Sequence, residues 1–479
     1  MIIGSGFGGQ TAAINLQKNG INDFVILERK DFIGGTWCQN TYPGAAVDVQ
    51  SPLYSFSFEP YDWSQMFAEQ NELEAYTNFV MDKYNIREKT ILNANVERLE
   101  WLEDEKKWFI TTNNEKYKAQ FVINASGPLS TPFYPNFKGK SSFQGKIFHT
   151  NNWDNNYDLT NKKVAIVGSG ASAAQAIPAI VNQVKELSVF QRTPHWVLPR
   201  PDRVFSKFQR KLLKINWIYK LIRYFVYWSL ETRVIAFKYS PFLLNLFAQK
   251  HALKFIKKVF KNREDLQKKV TPDYTIGCKR IILSNTLYPA FAKDNCTLFT
   301  KEEQIEEITT TGIITSKGKE IDLDLIVFAT GYIATDGAIA YPIIGKDGTT
   351  IQEAWEAFPR AYLGTTAPNF PNFFIMTGPN TGIGHTSAIF IIESQMHYIL
   401  NCLNAIEKNN AKSIEVNSKA ENDYTNMIHS EMEKTVWKNG NCNSWYQSNS
   451  GHVIAMFPGF SFSYLKLAKK FKNEHHKFS

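Results

Sequence analysis

The chain has 479 residues, which is too many for one compact core and indicates two or three domains. Hydrophobic residues make up 43% of the sequence, which is typical of a soluble globular protein and argues against disorder. The net charge of +9 is unevenly placed, because residues 203–263 contain 15 Lys and Arg residues but only one acid, Glu231. The basic character therefore belongs to one segment and not to the whole surface.

The five cysteines, Cys38, Cys278, Cys296, Cys402 and Cys442, are scattered, with no CxxC pair and no spacing typical of metal ligands. This pattern predicts free thiols in a reducing compartment, and we expect a cytoplasmic protein. The first residues, MIIGSGFGG, lack the features of a signal peptide, and the short strand before the glycines is consistent with a start farther upstream. No apolar run reaches the length of about eighteen residues that a transmembrane helix needs.

The first candidate nucleotide-binding motif is GSGFGG, in which Gly4, Gly6 and Gly9 have the G-x-G-x-x-G spacing between an apolar strand and a predicted helix. Such glycines allow a tight turn, the close approach of a pyrophosphate and close helix–strand packing. Glu28 ends the next apolar strand and is placed to accept hydrogen bonds from a ribose diol. The alternative is a glycine-rich turn that binds no ligand.

The second motif lies in KKVAIVGSGASAAQ and contains Gly168, Gly170 and Ala173. Its second strand leads to Arg192, where a carboxylate would be expected for an unphosphorylated ribose. An arginine can pair with a 2′-phosphate through two hydrogen bonds, so this site favours NADPH over NADH. The alternative is a solvated surface charge. The first motif is followed by a strand that ends in an acid, and the second by a strand that leads to an arginine. This order predicts that the first motif binds FAD and the second binds NADPH.

Two further stretches, GGTWCQNTYPGAAVD and FQGKIFHTNNWD, resemble segments of the Baeyer–Villiger monooxygenases, class B flavoprotein monooxygenases that are related to the flavin-containing monooxygenases. GGTWCQNTYPGAAVD (34–48) is similar to the segment that this family places over FAD. FQGKIFHTNNWD matches the family signature F-x-G-x-x-x-H-x-x-x-W-D at Phe143, Gly145, His149, Trp153 and Asp154. Taken alone, this stretch is typical of a loop, and between the two motifs we expect a hinge. We expect His149 to order the hinge by hydrogen bonding, the alternative being an acid–base role.

The resemblance also implies roles for individual residues. By position, Arg280 is similar to the catalytic arginine beside the flavin, and Asp48 to the acid that orients it; the alternative for Asp48 is a surface turn. The FAD-binding candidates are Gly4, Gly6, Gly9, Glu28, Gly35, Trp37, Tyr42, Asp48 and Asn380. The NADP-binding candidates are Gly168, Gly170, Ser172, Ala173, Arg192, Thr193, Lys279 and Trp445. No metal site is expected.

The basic segment combines its charge with apolar residues at helical spacing, such as Leu213, Trp217, Leu221 and Phe225. This pattern predicts amphipathic helices inserted into the second nucleotide-binding fold. One interpretation is a helical cap over the active site, and the other is peripheral contact of residues 203–263 with a membrane surface. Nucleic-acid binding is disfavoured because the sequence contains no recognised nucleic-acid-binding module.

Together, these features predict an α/β fold with two Rossmann-like dinucleotide-binding domains and a helical insertion. The expected division is 1–140 and 331–479 for FAD, 141–202 and 278–330 for NADPH, and 203–277 for the insertion. The resemblance implies NADPH- and O2-dependent conversion of ketones, expected to be hydrophobic, to esters or lactones through a peroxyflavin. The alternatives are oxygenation of a sulfide or amine, and an NADPH–flavin reductase that does not oxygenate.

Overall fold

The computed structural model describes residues 1–479, apart from the side chain of Pro241. Two five-stranded parallel sheets form the centres of the molecule, which confirms the predicted α/β class. The first sheet has the strand order Phe373–Ile375, Val122–Asn124, Ile2–Ile3, Ile26–Leu27, Thr90–Ile91. The second has the order Cys296–Phe299, Glu186–Phe190, Lys163–Val167, Leu325–Phe328, Lys146–His149.

Each parallel sheet is covered differently on its two faces, because neighbouring residues of a strand point in opposite directions. In the first sheet, Ile2 packs with the helices Phe7–Lys18 and Ala388–Lys408, whereas Ile3 packs toward Trp101 and Trp108 of an antiparallel sheet. The strands of that sheet are Val96–Leu102, Lys107–Thr112 and Lys116–Ala119, with Ile343–Ile344 added parallel at one edge.

The second parallel sheet repeats this scheme. Ile166 packs with the helix Ala171–Ile180 on one face, and Ala165 packs with Ile308 and Ile313 on the other. The covering strands are Ile305–Ile308, Gly312–Thr315 and Glu320–Asp322, which pair antiparallel. In both sheets one face therefore contacts helices, the other contacts antiparallel strands, and the carboxyl ends of the parallel strands carry the glycine turns.

The signature segment is in part a strand, so its interpretation as a loop is wrong for four residues. Lys146–His149 forms the edge of the second sheet and pairs parallel with Leu325–Phe328. A Cβ at Gly145 would lie 2.6 Å from the carbonyl oxygen of Asp324, so a side chain there would prevent this pairing. A short edge strand has few alternating residues by which it could be recognised.

The insertion is helical, and its first part, its middle (Phe237 and Leu244) and its last part pack into three different cores. Leu213, Tyr219 and Leu230 belong to the core of the first sheet, whereas Ile256 and Phe260 belong to that of the second. Its helices are Lys207–Leu213, Asn216–Glu231, Lys250–Val259 and Glu264–Val270, with π-helical segments Ile235–Tyr239 and Leu244–Gln249. Across the described residues, no helix has both the length and the apolar character needed to cross a membrane.

The C-terminal part of the chain returns to the first sheet. The helices Ala388–Lys408 and Ser461–Lys469 pack against each other in its core. The remaining helices are Thr36–Gln39, Gln70–Lys83, Leu287–Phe291, Ile351–Ala354, Ser418–Met432 and Val436–Asn439. Two small sheets pair Val197–Leu198 with Ile282–Leu283 and Ile414–Val416 with His476–Phe478.

Cys278 and Cys442 form a disulfide, so the prediction of free thiols is wrong for these two residues. Cys38, Cys296 and Cys402 are free, and burial raises the pKa of the Cys38 and Cys296 thiols to about 12. The bridged cysteines are 164 residues apart, and no local spacing shows that the fold brings them together. The bond joins the segment that precedes Lys279 and Arg280 to residues 440–460, the loop between the helices Val436–Asn439 and Ser461–Lys469, which we call the C-terminal loop.

Candidate active site

The first glycine turn follows the central strand of the first sheet. Gly4 has a φ of +95°, and a Cβ there would lie 2.6 Å from the carbonyl oxygen of Ala125. A Cβ at Gly9 would lie 1.9 Å from the carbonyl oxygen of Gly4, whereas one at Gly6 would meet only the Cα of Gly35, at 3.5 Å. No side chain caps the helix that follows, so its first N–H groups have no side-chain acceptor. This open, N–H-lined turn fits a pyrophosphate.

Glu28 lies next to this turn and is held in a fixed orientation. Its Oε2 accepts hydrogen bonds from the N–H and hydroxyl of Ser5 at 2.9 and 2.7 Å, and its Oε1 accepts one from the N–H of Lys30 at 3.0 Å. A carboxylate has about four lone-pair positions, so one remains for a ribose hydroxyl. Sequence reasoning missed Ser5, although its place inside the glycine motif was a usable signal.

The second glycine turn has the same design. Gly168 has a φ of +134°, and a Cβ there would lie 2.2 Å from the carbonyl oxygen of Ala329. A Cβ at Gly170 would meet nothing within 4 Å, and the helix that begins at Ala171 has no side-chain cap. The Ser169 hydroxyl donates a hydrogen bond to the carbonyl oxygen of Thr193 at 2.7 Å, which joins this turn to the Arg192 strand end.

Arg192 and Lys279 place two positive charges beside this turn. Burial, and then repulsion from Arg192, lower the pKa of Lys279. The Lys279 ammonium also lies 5.2 Å from the ring centroid of Tyr274, which limits where it can point. Neither cation forms a salt bridge within the part of the chain that the structure describes. Two unpaired cations next to an N–H-lined turn form a suitable site for a phosphate.

Asp48 and Arg280 form an ion pair at the meeting point of segments from both folds. Oδ2 of Asp48 accepts hydrogen bonds from Nε and Nη2 of Arg280, at 2.9 and 2.7 Å. The two side chains are 33% and 30% exposed, so the pair lines an open cleft. Asp48 raises the pKa of Arg280 above its ordinary value. Within the described residues, Nη1 of Arg280 has no hydrogen-bond partner, so it is free to meet a ligand.

Neutral aromatic hydroxyls surround this pair. The indole Nε1 of Trp37 donates a hydrogen bond to the Tyr54 hydroxyl at 3.1 Å. Burial raises the pKa of Tyr54 and of Tyr446 to about 12, so both phenols stay protonated at neutral pH. Sequence reasoning did not place Tyr54 and Tyr446 in the site, although one follows Asp48 by six residues and the other adjoins Trp445.

The segment at residues 42–46, which follows the first glycine turn, also contacts the helix of the second motif. The Tyr42 hydroxyl donates to Oε1 of Gln175, and Nε2 of Gln175 donates to the carbonyl oxygen of Ala46, both at 2.8 Å. Gly44, with a φ of +80°, lies so close that a Cβ there would be 2.6 Å from the Gln175 carbonyl oxygen. The Ser172 hydroxyl lies beside Tyr42. Tyr42 thus joins the two folds.

Asn380 bonds to the C-terminal loop, and Trp445 belongs to it. Asn380 has a φ of +56°, and its Nδ2 donates to the carbonyl oxygens of Val453 and Met456, each at 3.0 Å. Its amide therefore fixes the loop and is not directed freely into a cleft. Trp445 is 48% exposed and packs edge-on against Tyr446, with ring centroids 4.6 Å apart.

The signature residues are held by their neighbours in and around the edge strand. Nδ1 of the buried His149 accepts a hydrogen bond from the N–H of Asn151 at 3.0 Å, and burial lowers the pKa of His149 to about 4. The Trp153 ring packs on Phe148, Phe143 is half-buried, and exposed Asp154 accepts a hydrogen bond from the N–H of Asn156. A neutral, buried imidazole favours the ordering role over acid–base chemistry.

A buried acid that sequence reasoning missed links the insertion to the first fold. Glu231 accepts hydrogen bonds from both the N–H and the hydroxyl of Ser461, the latter at 2.8 Å. Nε2 of His385 lies 3.2 Å from Glu231 Oε2, and both side chains are buried. The usable signals were that Glu231 is the single acid of a basic segment and that His385 follows closely after the sequence GPNT at 378–381.

Two parallel sheets with open glycine turns, and an Asp–Arg pair between them, define an oxidoreductase that uses two dinucleotides. A family model described as pyridine nucleotide-disulphide oxidoreductase matches residues 1–206. A Baeyer–Villiger monooxygenase of Pseudomonas aeruginosa is 42% identical over 474 residues, covering 98% of this chain and 89% of that protein. One of Streptomyces coelicolor is 40% identical over 461 residues, covering 96% and 88%. The chain belongs to the Baeyer–Villiger monooxygenase family.

Solved structures share the whole fold. A closed crystal structure of cyclohexanone monooxygenase superposes with a TM-score of 0.89 at 27% identity, covering 100% of this chain and 98% of that one. The structure of OTEMO in complex with FAD and NADP gives a TM-score of 0.89 at 26% identity, with the same coverage. This similarity confirms the predicted fold with two Rossmann-like domains.

Proposed function

We propose that this chain is an FAD-containing, NADPH- and O2-dependent monooxygenase that converts ketones to esters or lactones. The Asp48–Arg280 pair is the observation that carries this proposal, because it presents a fixed positive charge where the two clefts meet. When bound, FAD that has been reduced by NADPH activates O2 for insertion next to the ketone carbonyl. The residues of the chain bind, orient and shield the reacting groups.

The two glycine turns support one place for each cofactor. The open turn at Gly6, with Glu28 beside it, would hold FAD through its pyrophosphate and ribose, and Gly35, Trp37 and Tyr42 would cover it. The turn at Gly170, with Arg192 and Lys279, would hold NADPH through its pyrophosphate and 2′-phosphate. The corresponding division is 1–140 with 331–479 for FAD, 141–202 with 278–330 for NADPH, and 203–277 for the insertion.

Arg280 would stabilise negative charge on the reacting oxygen. A guanidinium remains protonated at any working pH, and the ion pair with Asp48 further favours its charged form. Because Nε and Nη2 both point to Asp48, Nη1 is left to donate to an oxyanion in the cleft. Asp48 is therefore a positioning residue, and Arg280 is the residue that would touch the reacting atoms.

The aromatic wall would keep water away from these atoms. Tyr54 and Tyr446 lie beside the ion pair as neutral groups, and Trp37 is bonded to Tyr54, so none of the three adds a competing charge. A drier site strengthens the interaction between Arg280 and an oxyanion. We expect the ketone to be hydrophobic and to reach the site past the insertion. We also expect residues 203–263 of the enzyme to make peripheral contact with a membrane.

The decisive experiment compares Arg280→Ala and Arg280→Lys with the unchanged enzyme on a panel of cyclic and long-chain ketones. We expect NADPH oxidation to continue in both variants while ester or lactone formation falls about a hundredfold or more in Arg280→Ala. Gas chromatography of the products and absorbance at the nicotinamide band measure the two rates. Ester formation by Arg280→Ala at the normal rate would overturn the role, and sulfoxide as the sole product from a keto-sulfide would favour heteroatom oxygenation.

A further inference from the structure

The helix Asn216–Glu231 has an unusual distribution of side chains. Its solvent-facing side carries Trp217, Leu221, Tyr224, Phe225 and Trp228, of which Trp217 is 67% and Phe225 63% exposed. These positions repeat every three or four residues, so they form one continuous face of the helix. We call these five residues, together with Phe462 beside Trp228, the aromatic stripe.

The inner side of the same helix carries the polar contacts. Nη1 of Arg223 donates hydrogen bonds to the carbonyl oxygens of Pro52, Leu53 and Ser55. The Tyr219 hydroxyl accepts from the indole of Trp63, and Tyr227 bonds to Ser461. The inner side also packs Tyr219 and Leu230 into the core of the first sheet, so this helix is apolar on both its buried and its exposed faces, unlike a surface helix whose exposed face is polar.

The stripe is a continuous surface. The ring centroids of Tyr224 and Trp228 are 6.1 Å apart, and Trp228 lies 5.8 Å from Phe462 of the next packed helix. The insertion also contains the large apolar side chains that have the greatest exposed fractions in the described chain. They are Val204, Phe208, Trp217, Phe225, Phe242 and Phe247. A patch of this kind marks an interaction site rather than ordinary surface.

Positive charge accompanies the stripe. Lys220 lies on the exposed side of the same helix, and Lys207 and Lys211 are exposed on the helix Lys207–Leu213, which packs against it. None of these three lysines forms a salt bridge within the described part of the chain. Aromatic and aliphatic side chains together with unpaired lysines match the interface of an anionic lipid bilayer, where rings enter the headgroup region and lysines meet phosphates.

We propose that the aromatic stripe and its three lysines dock the enzyme on an anionic membrane surface, from which hydrophobic ketones enter the active site. The docking is independent of catalysis, whereas the delivery of ketone rests on the proposed function.

The helix itself connects the surface to the site. It has 16 residues and so spans about 24 Å. Its far end is fixed by Glu231, which contacts Ser461 and His385. Arg233 follows two residues later, and burial and then repulsion from Arg280 lower its pKa, which places it near the ion pair. For delivery, a ketone dissolved in lipid would pass along this helix toward Arg280.

The first test is flotation of the full FAD-loaded chain with vesicles of phosphatidylglycerol or of phosphatidylcholine. We expect binding to the anionic vesicles that weakens as salt is raised, and much weaker binding to the neutral ones. Trp217→Ser with Phe225→Ser should reduce binding more than about tenfold. Phe133→Ser, an exposed aromatic outside the insertion, is the matched control and should bind normally.

The charge contribution is tested by reversing Lys207, Lys211 and Lys220 to Glu, with Lys107, Lys317 and Lys477 as exposed controls. We expect more than about tenfold weaker binding for the first set only. The double change Trp217→Ser with Phe225→Ser is the stripe variant. Equal vesicle binding by the stripe variant and the unchanged enzyme would overturn the proposal. So would a dimer in light scattering that Trp217→Ser with Phe225→Ser dissociates while no chain floats with vesicles, because a second copy would then cover the stripe.

Kinetics separate docking from chemistry. With phosphatidylglycerol vesicles present, we expect a lower apparent KM for a long-chain ketone in the unchanged enzyme but not in the stripe variant. A water-miscible ketone should give the same kcat and KM in both. Arg280→Ala should float normally while failing to form ester, so failure of the proposed chemistry leaves the docking result intact. An unchanged KM for the long-chain ketone despite vesicle binding would reject the delivery step.

Discussion

A single carboxylate oxygen of Asp48 receives two hydrogen bonds from Arg280, from Nε at 2.9 Å and from Nη2 at 2.7 Å. The change Asp48→Asn removes the charge but keeps the shape, so the guanidinium would be free to turn. We expect ester formation to fall about a hundredfold while NADPH oxidation falls much less. The measurement is the ratio of ester formed to NADPH consumed.

The control for this variant is Asp62→Asn, which removes the charge of a carboxylate that pairs with Arg210 and Lys214 outside the site. It should leave the ratio of ester to NADPH unchanged. A normal ratio in Asp48→Asn would show that Arg280 needs no partner, and the positioning role would be wrong.

The pair Arg192 and Lys279 should determine the choice of nicotinamide cofactor. Arg192→Ala removes one charge that would contact the 2′-phosphate, so we expect kcat/KM for NADPH to fall about tenfold or more. The kcat/KM for NADH should change little. Steady-state rates with both cofactors test this, with Lys185→Ala, an exposed lysine of the same fold, as the control. If the ratio of the two values stays constant, Arg192 is only a surface charge.

The Cys278–Cys442 disulfide should stabilise the site segment. It closes a loop of 164 residues between the residue before Lys279 and the C-terminal loop with Tyr446. We expect its reduction, or the double change Cys278→Ser and Cys442→Ser, to cost about 2–4 kcal/mol and to lower the Tm. Differential scanning fluorimetry with and without a thiol reductant measures this. A Tm of the unchanged enzyme that does not respond to the reductant would contradict the expectation.

His149 should make the fold sensitive to acid. Burial lowers its pKa from 6.5 to about 4, so between these values the unfolded chain binds a proton that the folded chain does not. Stability is therefore lost as the pH falls from about 6.5 toward 4. We expect His149→Gln to flatten this part of a plot of Tm against pH, whereas His251→Gln at an exposed position should not. Parallel curves for both variants would refute the assignment.

Much of the fold could be predicted because its determinants are local. Gly4 and Gly168 each follow an apolar strand and precede a helix, and a side chain at either would collide with a backbone carbonyl. Asp48 and Arg280 are 232 residues apart in sequence, and only a family resemblance predicts that they form a pair. The two hydrogen bonds between them depend on how the folded chain brings these distant segments together.

What could not be predicted depends on contacts between distant segments. The edge strand Lys146–His149 exists because Leu325–Phe328 offers it a partner, and four residues carry too little periodicity to show this. The Cys278–Cys442 bond and the contact of Glu231 with His385 join segments more than 150 residues apart. Residue types alone do not determine such pairs.

The division of the insertion between three cores limits how it can be exchanged. Tyr219 is buried in the first sheet's core, Ile256 in the second's and Phe237 in a third core with Trp437, so a graft of 203–277 from a relative would have to match three separate packing surfaces at once. The first half also requires Ser55 and Ser461 from the host as hydrogen-bond partners. Attempts to change substrate range should therefore replace single exposed residues of this segment, and should not treat it as a removable cassette.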